Sequence, residues 1–160
     1  MEQGEDIKED QIEKLISGTD YTVEWSNASS KNVGSYKVTI TGKGAYTGVT
    51  KATYKINPKS TSIKKLKKSK KAITIKWKKQ SAKMAKSRIT GYQIQLAANK
   101  KFTKGKKTVN VKGYKKVSKK VKKLKGGKKY YVRIRTYKTV SGKKYYSAWS
   151  KTKTVKTRKK

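Results

Sequence analysis

The sequence predicts an all-β chain, a small partial β module followed by an antiparallel β-sandwich. Three observations predict it. Apolar and aromatic residues recur at every second position in short runs, with lysine repeatedly on the intervening phase. Clusters of Gly, Ser, Asn and Lys cut those runs into strand-sized pieces. The 11 Tyr and 3 Trp supply apolar area that a disordered chain of equal charge lacks, although hydrophobic content is only 32% and formal charge +38.

The first alternating runs are Tyr21–Trp25, Ser35–Ile40 and Val49–Ile56, with Asn-, Ser- and Gly-rich turns between them. Before them, Ile7, Ile12, Leu15 and Ile16 could form one face of a short helix or an extended strand, with weak order expected before Lys14. Asn27-Ala28-Ser29 has the form of a glycosylation acceptor and reads as a turn. A piece of about 60 residues is marginal alone, so it is expected to expose an unpaired edge or lean on its neighbour.

All eight acids lie between Glu2 and Glu24, and residues 1–60 are electrically neutral. The whole +38 therefore belongs to residues 61–160, which contain no acid. This shift beside the only proline, Pro58, marks a boundary. The expected organisation is a module over 1–57, a linker at 58–62 and a second domain over 63–160. In that domain the alternating sets are Ile73, Ile75 and Trp77; Tyr92, Ile94 and Leu96; Val109 and Val111; and Tyr130, Val132 and Ile134. Breaks fall at 83–87, 98–105, 126–129 and 141–144. Several short strands at this spacing, without helical periodicity, predict a sandwich. Lysine on the outward phase discourages edge-to-edge pairing and lays its methylene stem over neighbouring apolar surface.

Composition also excludes chemistry. With no Cys and no His, thiol and imidazole nucleophiles, the usual zinc sets and disulfides are absent. With no acid after Glu24, paired-carboxylate hydrolysis, a carboxylate metal cage and a Ser/His/Asp triad cannot be built from residues 25–160. The expectation is a non-enzymatic chain without cofactor or metal. No apolar run reaches the roughly 20 residues of a membrane helix, and no basic-then-apolar leader follows Met1, so an export signal is expected outside this sequence.

The motifs of residues 61–160 resemble a fibronectin type III domain of the lysine-rich kind in surface proteins of Gram-positive bacteria, an Ig-like sandwich. ITIKWKK around Trp77 is similar to the family's second strand, and ITGYQIQLA around Tyr92 to its third. In LKGGKKYYVRIR, Leu124 precedes Tyr130 as the family's leucine precedes its corner tyrosine, and YYSAWSKTKTVKT with Trp149 and Ser150 is similar to the last strand. Gly126-Gly127 stands where the family often has Pro-Gly, and no Arg-Gly-Asp occurs, so integrin adhesion is not implied. The resemblance makes Trp77, Tyr92, Leu124, Tyr130 and Trp149 structural core, with the Tyr130 hydroxyl bonded to backbone at the corner. In the first part, GTDYTV, VGSY, VTITGKG and YTG resemble the C-terminal part of small MBG-type, Ig-like repeats of bacterial surface proteins. Two strands that normally open such a repeat have no counterpart in residues 1–17, so either the sequence enters a repeat partway or this copy is abbreviated.

The function implied is a cell-surface or cell-wall spacer and adhesion module, a monomeric fragment of a larger exported chain. Its unpaired positive charge is expected to attract anionic cell-wall polymers of the teichoic-acid kind, against the plainer reading that the charge only keeps the domain soluble. Specific nucleic-acid recognition is not expected. The lysines are spread along every segment, only four arginines occur, and no groove-entering element carries base-reading side chains. An alternative is a specific carbohydrate- or protein-binding face. With Tyr130, Val132 and Ile134 facing in, Tyr131, Arg133, Arg135 and Tyr137 face out, joined by Gln93 and Gln95 of the adjacent strand. The competing reading of that face is cross-strand stacking that only stabilises the sheet.

Overall fold

The computed structural model describes residues 5–6, 16–26, 32–85 and 87–159. It divides into two compact units, Met1–Ile56 and Asn57–Lys160. Ile7, Ile12, Leu15 and the Asn27-Ala28-Ser29 turn lie outside the described residues, whereas Ile16 is exposed.

In the first unit, β1 (Glu5–Asp6) pairs in parallel with β4 (Tyr46–Thr47). The three alternating runs become β2 (Tyr21–Trp25), β3 (Gly34–Gly42) and β5 (Val49–Ile56), an antiparallel sheet in the order β2-β3-β5. Register puts Trp25 and Ala52 beside Val38, and Tyr54 beside Tyr36. One face is therefore apolar, with Val38 and Ile40 buried at its centre and Tyr21, Val23, Ala52 and Tyr54 packed around them. Trp25 meets Tyr54 edge-on at 5.0 Å, and Tyr36 stacks on Tyr54 at 5.3 Å. The other face carries Thr22, Thr39, Thr41, Lys51 and Lys55. Among the described residues, β2 and β5 each have one open edge. The turn TGKGAYTG closes with a bond from the Gly42 N–H to the Gly48 carbonyl, 2.9 Å, and Gly44 and Gly48 supply the positive φ it requires.

The second unit is a two-sheet sandwich. Sheet one has the order β10-β7-β6, from β6 (Ile63–Lys68), β7 (Ile73–Trp77) and β10 (Ser118–Val121). Sheet two contains β8 (Gly91–Ala97), β9 (Lys107–Lys112), β11 (Lys129–Val140), β12 (Lys143–Tyr146) and β13 (Lys153–Lys156), in the order β12-β11-β8-β9. The long strand β11 holds β8 along one side. Along its other side it holds β13 at residues 129–132 and β12 at residues 137–140. The single last strand expected over YYSAWSKTKTVKT is thus interrupted. Opposite residues 133–136 of β11 two serines take the ladder's place. Thr136 N–H donates to Ser147 Oγ at 2.9 Å and Ile134 N–H to Ser150 Oγ at 3.0 Å, while the serine N–H groups return bonds to the carbonyls of Thr136 and Ile134.

The alternating sets supply the core. Ile73, Ile75 and Trp77 from one sheet face Tyr92, Ile94, Leu96, Val132 and Ile134 from the other, all essentially inaccessible to solvent. Trp77 and Tyr92 approach to 5.2 Å. At about 1.5–3 kcal/mol for each large apolar side chain fully buried, these two layers dominate the stability of the unit. Tyr92 also ties loops to the core: its hydroxyl accepts the Gln80 N–H at 2.8 Å and donates to the Tyr114 carbonyl at 2.7 Å. At the corner, Lys125 N–H donates to the Tyr130 hydroxyl at 2.9 Å beside buried Leu124, and Gly127 turns the chain with positive φ.

Residues 58–62 are not a free linker. Pro58 is buried, the Lys59 carbonyl accepts Thr136 Oγ1–H at 2.7 Å, and the Ser62 carbonyl accepts Lys78 N–H at 3.0 Å. The segment caps Thr136, which interrupts the apolar row of β11 and would otherwise bury an unpaired hydroxyl. The unit begins at Asn57 because those carbonyls are needed inside it.

Gly91 is held by close approach: a Cβ there would sit 2.3 Å from the Val111 carbonyl oxygen and 2.9 Å from the Tyr137 hydroxyl. Gly91→Ala is expected to lower stability by about 2 kcal/mol through overpacking. Urea unfolding checks it: the midpoint should fall at constant slope, and an unchanged midpoint would contradict the packing described.

Candidate functional site

The outer face of sheet two is built on β11, β8 and the edge strand β9. Register sets Arg133 opposite Gln95 and Arg135 opposite Gln93 on β8, and these opposite Thr108 and Asn110 on β9. Each row becomes a polar rung. Arg135 Nε–H donates to Gln93 Oε1 at 2.8 Å, and Gln93 Nε2–H passes on to Asn110 Oδ1 at 3.0 Å. Arg133 forks onto Gln95 Oε1 through Nε and Nη2, at 3.0 and 2.7 Å, and Gln95 reaches Thr108 Oγ1 more weakly at 3.4 Å.

Aromatic rings fill the spaces between rungs. The Arg133 guanidinium lies 4.0 Å from the Phe102 ring and 4.2 Å from that of Trp149; Arg135 lies 4.2 Å from Trp149 and 3.7 Å from Tyr146. The result is a continuous stack, Phe102–Arg133–Trp149–Arg135–Tyr146, extended by Tyr137 at 6.4 Å from Tyr146. The serine bonds between β12 and β13 present Trp149 to it. The loop 98–105 presents Phe102: Asn99 Oδ1 accepts the N–H groups of Thr103 and Lys104, both at 3.0 Å, and holds Phe102 at φ 55°. Burial lowers both guanidiniums from their ordinary value. For Arg135 the phenol of Tyr146 acts in the opposite direction and the like charge of Arg133 in the same one. Both stay charged at neutral pH.

Several expectations are corrected here. Gln93 and Gln95 are 7% and 8% exposed and lie beneath the arginines, spent on the rungs, so they offer no open amides. Tyr137 occupies the outward phase but is only 5% exposed, because it closes over Gly91 and beside Tyr146. Trp149 is not core. It is half-buried on the outer face, since the serine-bonded break between β12 and β13 turns its ring onto the arginines. Trp77, Tyr92, Leu124 and Tyr130 are buried. Tyr131 is half-buried with the Lys129 ammonium 5.3 Å from its ring. Phe102, Tyr146, Thr108 and Asn110 were not singled out from the sequence. The phase of Thr108 and Asn110 against Val109 and Val111 carries the signal for the last two, and the loop geometry behind Phe102 leaves none.

Chemically, the face is a cationic stack in which both amides and the Nε–H of each guanidinium are engaged. Trp149→Ala removes two cation–π contacts and should cost about 1–3 kcal/mol in denaturant unfolding; a wild-type midpoint would reduce the stack to coincidence. Burial, and secondarily Tyr146, raises the Tyr137 phenol above its ordinary value. Its stabilising contribution is therefore complete below about pH 10 and is lost as pH rises through the folded value. Relative to Tyr137→Phe, the wild type should lose stability above about pH 10, measured by urea unfolding at stepped pH; a pH-independent difference would contradict this.

The family model for the fibronectin type III domain matches residues 57–153. The solution structure of the fn3 domain of human contactin 1 is similar with TM-score 0.52 at 16% identity, over 64% of this chain and 79% of that one. The crystal structure of chicken CNTN1 FN1-FN3 domains gives TM-score 0.51 at 20% identity, over 79% of this chain and 43% of that one. The third fibronectin III domain of human KIAA0343 protein gives 0.50 at 14% identity, over 65% and 86%. Identities this low speak for the fold alone. A search of curated proteins found no match. With its corner tyrosine bonded to backbone, its Trp77–Tyr92 core and its two-sheet order, the chain belongs to the fibronectin type III family through residues 57–153.

Proposed function

We propose that this chain is a non-catalytic extracellular spacer and adhesion module of a bacterial cell surface, held to anionic wall polymers by its lysine surface. Fibronectin type III domains are commonly binding or spacer modules of extracellular proteins, which supports the coarser part of this reading. One observation carries the finer part. Residues 57–160 hold the entire formal charge excess and no carboxylate side chain, so no lysine there has an internal acidic partner. Between neighbours on a domain of this size, a screening length of about 8 Å leaves repulsion in force. A phosphate polymer relieves it by exchanging its condensed counterions for lysines, a gain in entropy that needs no stereospecific pocket.

The glycan- or protein-docking reading of Tyr131, Arg133, Arg135 and Tyr137 has less support, because Arg133, Arg135 and Tyr137 are engaged in the stack. Retention of the chain on purified wall polymer tests the electrostatic reading. With about five simultaneous contacts, affinity should fall on the order of a hundredfold between about 50 and 200 mM salt. Retention insensitive to salt would overturn the reading.

A further inference from the structure

The two sheets of the second unit leave an opening where edge strand β9 lies beside edge strand β10. Two hollows, about 220 and 380 Å³, occupy it and share Lys107 and Lys123 in their walls. The floor is apolar, with Val109, Val121, Leu124 and Tyr130. Lysines occupy its inward phase, as Lys68 opposite Ile73 and Lys153 opposite Val132 do at other edges of the sandwich. Lys107 pairs in register with the fully buried Leu96, and Lys119 with the fully buried Ile75. Both therefore occupy the core-facing row of their strands, Lys119 as an exposed residue at the edge. Lys107 is half-buried, and its ammonium donates to the Lys122 carbonyl at 2.9 Å, reaching across the opening. That bond occupies one of its three donors. No carboxylate side chain exists in this unit to accept the rest.

We infer that this cleft is the seat of one strand of a linear phosphodiester polymer, an inference that rests on the proposed attraction to wall polymers and gives it a location. The half-buried Lys107 places positive charge over an apolar floor, where it is screened less than on the open surface, and the exposed Lys119 stands on the facing wall. Such a cleft fits a chain that alternates phosphates with short carbon linkers. The phosphates meet Lys107, Lys119 and the neighbouring Lys120, Lys122 and Lys123, while the linkers lie over Val109 and Val121. The absence of arginine from its walls fits a polymer held by point charges at many registers, without the bidentate fork that fixes a single phosphate. An acidic peptide is the competing occupant. It would want the free backbone of an edge strand, and the Lys107 side chain already crosses from β9 toward the β10 side.

The test uses the whole chain and a short linear poly(glycerol phosphate) as probe. The double variant Lys107→Gln, Lys119→Gln is compared with Lys65→Gln, Lys76→Gln, which removes the same charge from a register pair on the outer face of sheet one. Two lost phosphate contacts should weaken binding about tenfold at physiological salt, against a much smaller loss for the control pair. The methyl resonances of Val109, Val121 and Leu124 in the wild type should shift on titration, a readout that does not depend on either variant folding. Equal losses for the two pairs with no methyl shifts would overturn the cleft while leaving diffuse attraction standing. Wild-type binding that is absent or indifferent to salt would overturn both. A poly-glutamate of equal charge that shifts the same methyls at equal affinity would overturn the phosphodiester assignment.

Discussion

The second unit depends on the pairing of β8 with β11. Ile94 lies opposite Ile134 and Leu96 opposite Val132, each fully buried, and β9, β12 and β13 pair onto these two strands. Their inward row makes the core with Ile73, Ile75 and Trp77, and their outward row makes the arginine stack. All seven residues of β8 are buried, although its outer row contains Gln93 and Gln95. A sheet buried on both faces at its centre has no need of high overall hydrophobicity. The outlying strands then present lysine to solvent without loss of core.

That arrangement also explains where the few arginines stand. Of the four, Arg133 and Arg135 enter the stack, and Arg88 lies 5.1 Å from the Tyr114 ring while donating to the Ser81 carbonyl at 2.9 Å. An ammonium holds its water tightly, whereas a guanidinium is weakly hydrated, stacks flat on rings and forks onto amides. Where positive charge had to be partly desolvated without carboxylates, guanidinium is the group that tolerates it. Aromatic faces and amide oxygens do for these arginines what aspartate and glutamate do elsewhere.

The strands that form the core were legible because period-two alternation survives a lysine-rich composition. Ile73–Trp77, Tyr92–Leu96 and Tyr130–Ile134 announce both the strand and its inward face. The outer face was legible only in phase. Sequence gave the side of the sheet on which Tyr137 and Gln93 lie, but their burial comes from Gly91, which lets Tyr137 close down, and from arginines long enough to cover the neighbouring strand. Trp149 misled for a related reason. Within an assumed continuous last strand its alternation suits the core, yet Ser147 and Ser150 substitute hydroxyls for ladder carbonyls and turn the segment. Such side-chain capture of backbone groups is local chemistry that alternation does not encode. The docking of residues 58–62 was hidden likewise, since a proline and a charge shift mark a boundary without saying on which side the carbonyls are used.

Charge in this unit is sorted by environment. Arg88, Arg133 and Arg135 are placed where rings and amide oxygens replace water, while Arg158 and most ammoniums stand where water remains. Lys107, half-buried, departs from that order. It shares with Lys119, Lys68 and Lys153 a core-facing phase on an outlying strand, a position that an isoleucine or valine would fill at gain in apolar burial. Protection of an open edge accounts for a charge at one such position. Lys107 and Lys119, however, line one opening with apolar walls, joined there by Lys120, Lys122 and Lys123. Edge protection would be served equally by glutamate, which would also relieve the repulsion of the surrounding lysines and stabilise the fold. The half-burial of a cation, Lys107, over apolar walls and against the interest of stability is what singles this opening out from the rest of the lysine surface.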